Sequence, residues 1–261
     1  MSERICVTCG TQHAAATERC AICDDERQYV GWDGQRWTTL DGLRDSHRAD
    51  LRDEAPGLLG IGIRPSFAIG QRALLVATPG GNVLWDCIPL LDDEIVDAVR
   101  DRGGISAIAI SHPHYYASMV EWARAFDAPV YLHGADREWV MRPDDRLRLW
   151  DGETLELEPG LTLVRVGGHF DGATVLHWAN GDALLCGDSL QVVPDRRWVS
   201  FMRSYPNLIP LSPAAVGAIA AALAPFAFER IHGAFWGRVV AADGKGALER
   251  SAARYLAALE R

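Results

Sequence analysis

Apolar residues along this chain fall into short runs broken by glycine, proline and charge, and the spacing inside each run predicts its element. SFAIGQRALLVATPGGNVLWDC, residues 66 to 87, holds two runs joined at Pro79-Gly80-Gly81-Asn82, which predicts a hairpin. Asp92 to Arg102 sets Ile95, Ala98 and Val99 on one helical face. Ile105 to Ile110 reads as a short buried strand, Ala117 to Phe126 as a helix, and Pro129 to Leu132 as a strand. Strands follow at Leu155 to Leu157, Leu161 to Val166, Thr174 to Trp178 and Ala183 to Cys186. The chain closes with a helix over Ala214 to Leu223, a strand near Phe228 to His232 and a helix over Ala247 to Leu259. Ser212 and Pro213 read as the N-cap and first position of the first of these helices.

The front of the chain has a different texture. YVGWDGQRWTTL carries two tryptophans, and the charged stretch from about Asp41 to Glu54 reads as helical. Pro56 and Gly57 punctuate its end, so a domain boundary is expected there, dividing residues 1–57 from 58–261. Strand pairs followed by mixed strands and helices predict an α/β or α+β layered domain for the second part.

Four of the six cysteines fall in CVTC (Cys6, Cys9) and CAIC (Cys20, Cys23). Each CxxC is a tight knuckle that aims two thiolates at one ion, and Zn²⁺ accepts four such ligands in a tetrahedron. So short a segment buries too little apolar surface to fold alone, and a structural zinc would supply the folding energy. Two disulfides, a redox pair or an iron site of rubredoxin type are the alternatives. The segment resembles a zinc ribbon. Cys87 and Cys186 stand alone in apolar surroundings, as small buried residues do.

Charge narrows the partners. The chain carries a formal −9, and residues 1–57 hold seven arginines against eleven carboxylates, a net of −4. An acidic ribbon is a poor phosphate binder, so no nucleic-acid partner is expected; protein contact through the ribbon, or a homo-oligomer, remains open. The apolar segment from Leu208 to Phe228 is interrupted by Pro210, Ser212, Pro213 and Pro225, whereas a membrane span needs roughly 20 apolar residues in a row. MSERICVTCG does not resemble a signal peptide, and a cytoplasmic protein is expected.

The candidate chemistry lies at strand ends. His112 and His114 follow ISAIAIS, His169 stands in VRVGGHFDG, Asp188 in ALLCGDSL and His232 in ERIHGAF. Loops at strand ends are where sites are built, and histidine with carboxylate suits borderline metals. Strand alternation would put His112 and His114 on one side. The order HxH, GGHxxG, GDSL and a late strand-end histidine resembles the metallo-β-lactamase fold superfamily, from about Leu58 to Arg261. That resemblance implies an α+β fold, a four-layer αββα sandwich with a metal site along one edge. It assigns His112, His114 and His169 to a first metal site, Asp188 to the carboxylate that bridges two metals, and His232 to a second site.

The departure from the family pattern is informative. HxHxDH becomes HPHYYA, with Tyr116 and Ala117 in place of the aspartate and its neighbouring histidine. Alanine cannot ligate, so a single ion is expected, Zn²⁺ or Fe²⁺, at His112, His114 and His169. A hydrolase of a small ester, thioester, lactone or amide follows, with Asp188, Tyr116 and His232 as catalytic candidates. The alternatives are an iron oxidoreductase resembling persulfide dioxygenases, built on His112, His169 and Asp188, and a non-catalytic metal-binding module. Tyr115 is expected to pack. The segment QVVPDRRWVSFMRSYPNLIP is expected to wall the cleft, with Trp198 and Arg203 contacting a small, anionic substrate.

Overall fold

Residues 3–14 and 17–259 are described by a computed structural model, in which the chain forms two units. The first comprises residues 1–132 with 137–149, the second residues 133–136 with 150–261.

In the first unit the cysteine segment builds a three-stranded sheet in the order β2-β1-β3, from β1 (Arg4–Cys6), β2 (Gln12–His13) and β3 (Trp37–Thr38). A one-turn helix α1 (Ala21–Asp24) carries Cys23. Helix α2 (Leu40–Ser46) is N-capped by Thr39, whose side chain accepts from the Gly42 amide. The chain then turns into β4 (Arg48–Ala55), paired antiparallel with β5 (Leu58–Arg64). Here the helix expected through Glu54 is corrected, since it ends at Ser46.

The reason lies in alternation that the charges mask. Ala49 and Leu51 alternate with Arg48, Asp50 and Arg52, and β4 is the edge of a seven-stranded sheet, where charge blocks pairing with other chains. Pro56 and Gly57 (φ +74°) fill the central positions of a type II turn, with Ala55 opposite Leu58. Residue 57 is therefore the corner of a hairpin. The sheet continues through β6 (Ala73–Val76), β7 (Val83–Trp85), β8 (Ala107–Ala109), β9 (Val130–His133) and β10 (Leu147–Trp150). Its order is β10-β9-β8-β7-β6-β5-β4, parallel at β7-β8-β9. Helices α3 (Asp93–Arg100) and α4 (Met119–Phe126) connect the parallel strands and bury Ile95, Val99, Val120 and Trp122.

The second unit is built on β11 (Thr154–Glu158), β12 (Leu161–Arg165), β13 (Thr174–Trp178) and β14 (Ala183–Cys186). Short pairs β15 (Gln191–Val192) with β16 (Val199–Ser200), and β17 (Met202–Ser204) with β18 (Ile209–Pro210), follow. Then come α5 (Pro213–Leu223), β19 (Arg230–His232), β20 (Val239–Val240) and α6 (Gly244–Leu259). The six-stranded sheet runs β11-β12-β13-β14-β19-β20. Val164, Val175, Leu184 and Ile231 of the sheet share a core with Val216, Ile219 and Leu223 of α5 and Leu248 of α6. Each such side chain contributes about 1.5–3 kcal/mol on burial.

Helix α5 begins as expected, with the Ser212 side chain accepting from the Ala215 amide and Pro213 at the first position. Ser212→Ala should cost about 1 kcal/mol, read as a lower urea midpoint at unchanged slope. At the other end Lys245 donates to the Leu223, Ala224 and Phe226 carbonyls. Among the described residues no helix is long and apolar enough to cross a membrane.

Candidate metal centres

The four cysteines of the N-terminal segment converge, all buried, with Cys6 Sγ to Cys23 Sγ and Cys9 Sγ to Cys20 Sγ both at 3.6 Å. A disulfide would bring the sulfurs to about 2.05 Å. A tetrahedral zinc with bonds of about 2.3 Å separates its sulfurs by about 3.8 Å. The donor set fits a metal ion. Burial pushes the Cys9 thiol up, while hydrogen bonds from Cys23 and Cys6 hold Cys20 down. Four sulfurs in one dry pocket cannot share negative charge without a cation. Gln35 Nε2 donates to Cys6 Sγ at 3.2 Å, and His13 Nε2 lies 3.4 Å from Cys20 Sγ, so the sulfurs already have supporting partners.

The histidine loop follows β8. Asp86, with φ +61° at the end of β7, accepts the Ser111 amide at 2.7 Å and fixes where the loop leaves the sheet. Ser111 Oγ in turn bonds His112 Nδ1 at 2.8 Å, which orients the ring and gives Nε2 the ligand role. His112 is extended, but His114 lies in a 3-10 turn over Pro113–Tyr115. The two rings come to 5.1 Å between centroids through this turn and not through the expected strand alternation. Proline at the first position, with its fixed φ, favours that turn.

Tyr115 is fully buried with its ring 4.4 Å from that of His112, so it packs as expected. Tyr116 is also buried. Ala117 then adopts φ +44°, a left-handed conformation that costs an L-residue about 1–2 kcal/mol. Ser118 follows, its side chain donating to the Pro89 carbonyl.

In the second unit the GGH motif earns its glycines. Gly167 and Gly168 have φ of +63° and +80°, and a Cβ on Gly168 would stand 2.9 Å from Leu211 Cδ1. This tight turn delivers His169 at the end of β12, where its Nδ1 bonds the Met202 carbonyl at 3.0 Å and directs Nε2 to ligation. His169 Nε2 is 3.9 Å from Asp188 Oδ2, beyond a hydrogen bond and near the roughly 3.4 Å edge of a four-coordinate zinc shell. Tyr205 donates its hydroxyl to the Asp188 and Ser200 carbonyls, and burial pushes its pKa well up, so it remains a donor.

One ligand atom from each of His112, His114, His169 and Asp188 lies within 4.8 Å of the others, and all four residues are buried. Three imidazoles and a carboxylate are a donor set that fits zinc or iron(II). His232 is buried at the end of β19 and is not one of this group. Of the other expected residues, Trp198 lies under the Arg254 guanidinium of α6, 3.6 Å from the ring centroid. Phe201 is buried edge-on to Tyr255, and Arg203 is half-buried in β17. The supporting partners Ser111, Asp86 and the Met202 carbonyl were not singled out in the sequence. A serine beside the first histidine was the one available signal.

Residues 68–223 match the model of the metallo-beta-lactamase superfamily. The uncharacterized protein YmaE of Bacillus subtilis (strain 168) is 50% identical over 264 residues, spanning 98% of this chain and 96% of the relative. Solved structures with a similar fold include TMB-1, at 13% identity and a TM-score of 0.62 over 82% of this chain and 99% of that one. Another is the metallo-beta-lactamase FIM-1 from Pseudomonas aeruginosa in its mono-zinc form, at 16% identity and a TM-score of 0.59 over 81% and 96%.

Proposed function

Because the chain belongs to the metallo-β-lactamase superfamily, we propose that it is a hydrolase working with one metal ion at the histidine site. The observation that carries this reading is the buried group of His112, His114, His169 and Asp188. When bound there, zinc polarises a substrate oxygen and lowers the pKa of its water to about 7. His112, His114 and His169 hold the ion. The Asp188 carboxylate completes the shell or takes the proton from the attacking water. Tyr116, in the place of the family's aspartate, offers a hydroxyl to the developing oxyanion, and His232 returns a proton to the leaving group. The substrate is a small ester, thioester, lactone or amide.

Screening zinc-loaded protein against those four classes tests the reading. Turnover should vanish with a chelator and return with zinc; absence of turnover on all four would overturn it. Arg203→Ala should then raise KM for anionic substrates more than for neutral ones. Trp198→Ala, which removes the stack with Arg254, should affect both classes alike. Equal effects of Arg203→Ala on both classes would make that arginine scaffold.

A second reading, an iron(II) oxidoreductase, is favoured by the presence of Asp188 within the ligand group, since two histidines and a carboxylate are a non-haem iron set. Metal analysis of anaerobically purified protein separates the two, because zinc without iron removes the oxidoreductase.

A further inference from the structure

The cysteine module touches the histidine loop at its most strained point. From Cys9 the chain passes through Gly10 and Thr11 to Gln12, whose backbone amide donates to the Ala117 carbonyl at 3.0 Å. Ala117 is the left-handed residue that follows Tyr116. The approach is close, since a Cβ on Gly10 would stand 2.5 Å from Pro89 Cγ, and the Ser118 side chain donates to the carbonyl of that same proline.

A second tie reinforces the first. The Arg142 guanidinium, buried, donates through Nη1 to Gln12 Oε1 and to Glu121 Oε1 of α4, and through Nη2 to Glu3 Oε1 at 3.2 Å. The Ala14 amide donates to the Met141 carbonyl beside it. One strand of the module is therefore bonded directly to the strained residue and, through Arg142, to the helix that continues the histidine loop. Its position is set by the knuckle, where the Gly10 amide donates to the Cys6 carbonyl and the Cys6 amide donates to the Thr11 carbonyl.

We propose that the four-cysteine module is a clamp on the HPHYYA loop, so that an ion among the cysteines raises the affinity of the histidine site for its own metal. Gln12 and Arg142 are positioning residues in this scheme, and Ala117 is the point at which they act. A left-handed alanine flanking the ligand loop is held only while the surrounding structure over-determines it. When the knuckle loosens, the Gln12 amide leaves Ala117, the loop relaxes toward a right-handed backbone, and the ring pair of His112 and His114 loses its preset spacing. Two sites coupled in this way must each strengthen the other.

The proposal rests on the histidine group being a metal site, and the test separates the two ideas. Full-length protein with zinc in the cysteine site is titrated with cobalt(II) under chelator competition, and the visible d–d absorption of histidine-bound cobalt is followed. Cys20→Ser should weaken cobalt about tenfold and Arg142→Ala about threefold, with far-UV circular dichroism of the two large sheets retained. In the Cys20→Ser background, Ala117→Gly should recover about threefold, because glycine holds the left-handed conformation without help. General loss of folding would show no such rescue. Cobalt affinity unchanged in both Cys20→Ser and Arg142→Ala, or loss without rescue by glycine, would overturn the clamp alone. Failure of the wild-type protein to bind cobalt at the histidines would overturn the metal-site reading and the clamp together.

Discussion

His169→Ala should empty the histidine site while leaving both sheets folded. His169 presents Nε2 beside Asp188 from a glycine turn at the end of β12, outside the apolar cluster that joins the sheet to α5 and α6. Losing even a supporting partner of a metal ligand typically costs 10–100-fold in affinity or activity, so losing the ligand itself should exceed about 100-fold. The structural cost is smaller. The substitution leaves the Met202 carbonyl without the imidazole donor, about 1–3 kcal/mol when buried. Metal content, activity and the urea transition of the metal-free protein check the three parts. Retained metal would remove His169 from the site, and loss of cooperative unfolding would show that the turn is part of the core.

Cys20→Ser should have the larger effect on stability, confined to the front of the chain. Its sulfur faces both Cys9 Sγ and the His13 ring, and Cys6, Cys9, Cys20, Cys23 and Ile22 form a small buried cluster with Trp37, Ile69, Trp139 and Met141 packed against it. That cluster is too small to fold by apolar burial, and structural zinc in isolated modules contributes on the order of 10–16 kcal/mol of binding free energy to folding. One equivalent of tightly held metal should disappear, and amide exchange over residues 1 to 30 should accelerate by several orders of magnitude. Cys9→Ser should behave alike. Full metal content in either variant would show that the cysteines hold no ion.

Much of this was legible because the signals were local. The strands over Thr174 to Trp178 and Ala183 to Cys186, and the Ser212-Pro213 start of α5, follow from apolar runs and cap chemistry within a few residues. His112, His114, His169 and Asp188, whose ligand atoms lie within 4.8 Å of one another, each stand where an apolar run stops. Residues 48–55 were not, since their charges satisfy a helical spacing as readily as an edge strand, and only pairing with β5 decides between them. The His112–His114 geometry is hidden for a related reason: HxH suits strand alternation, but Pro113 starts a 3-10 turn instead. The contacts between Arg142 and Gln12, separated by 130 residues, leave no local pattern at all.

Counting metal ions tests the single-ion centre most directly. Protein equilibrated with buffered zinc and freed of excess on a desalting column should carry two ions per chain, one in each of the two ligand groups. His169→Ala and Cys20→Ser should each carry one. Three ions in the wild-type chain, or two retained in His169→Ala, would contradict a single ion held by His112, His114 and His169.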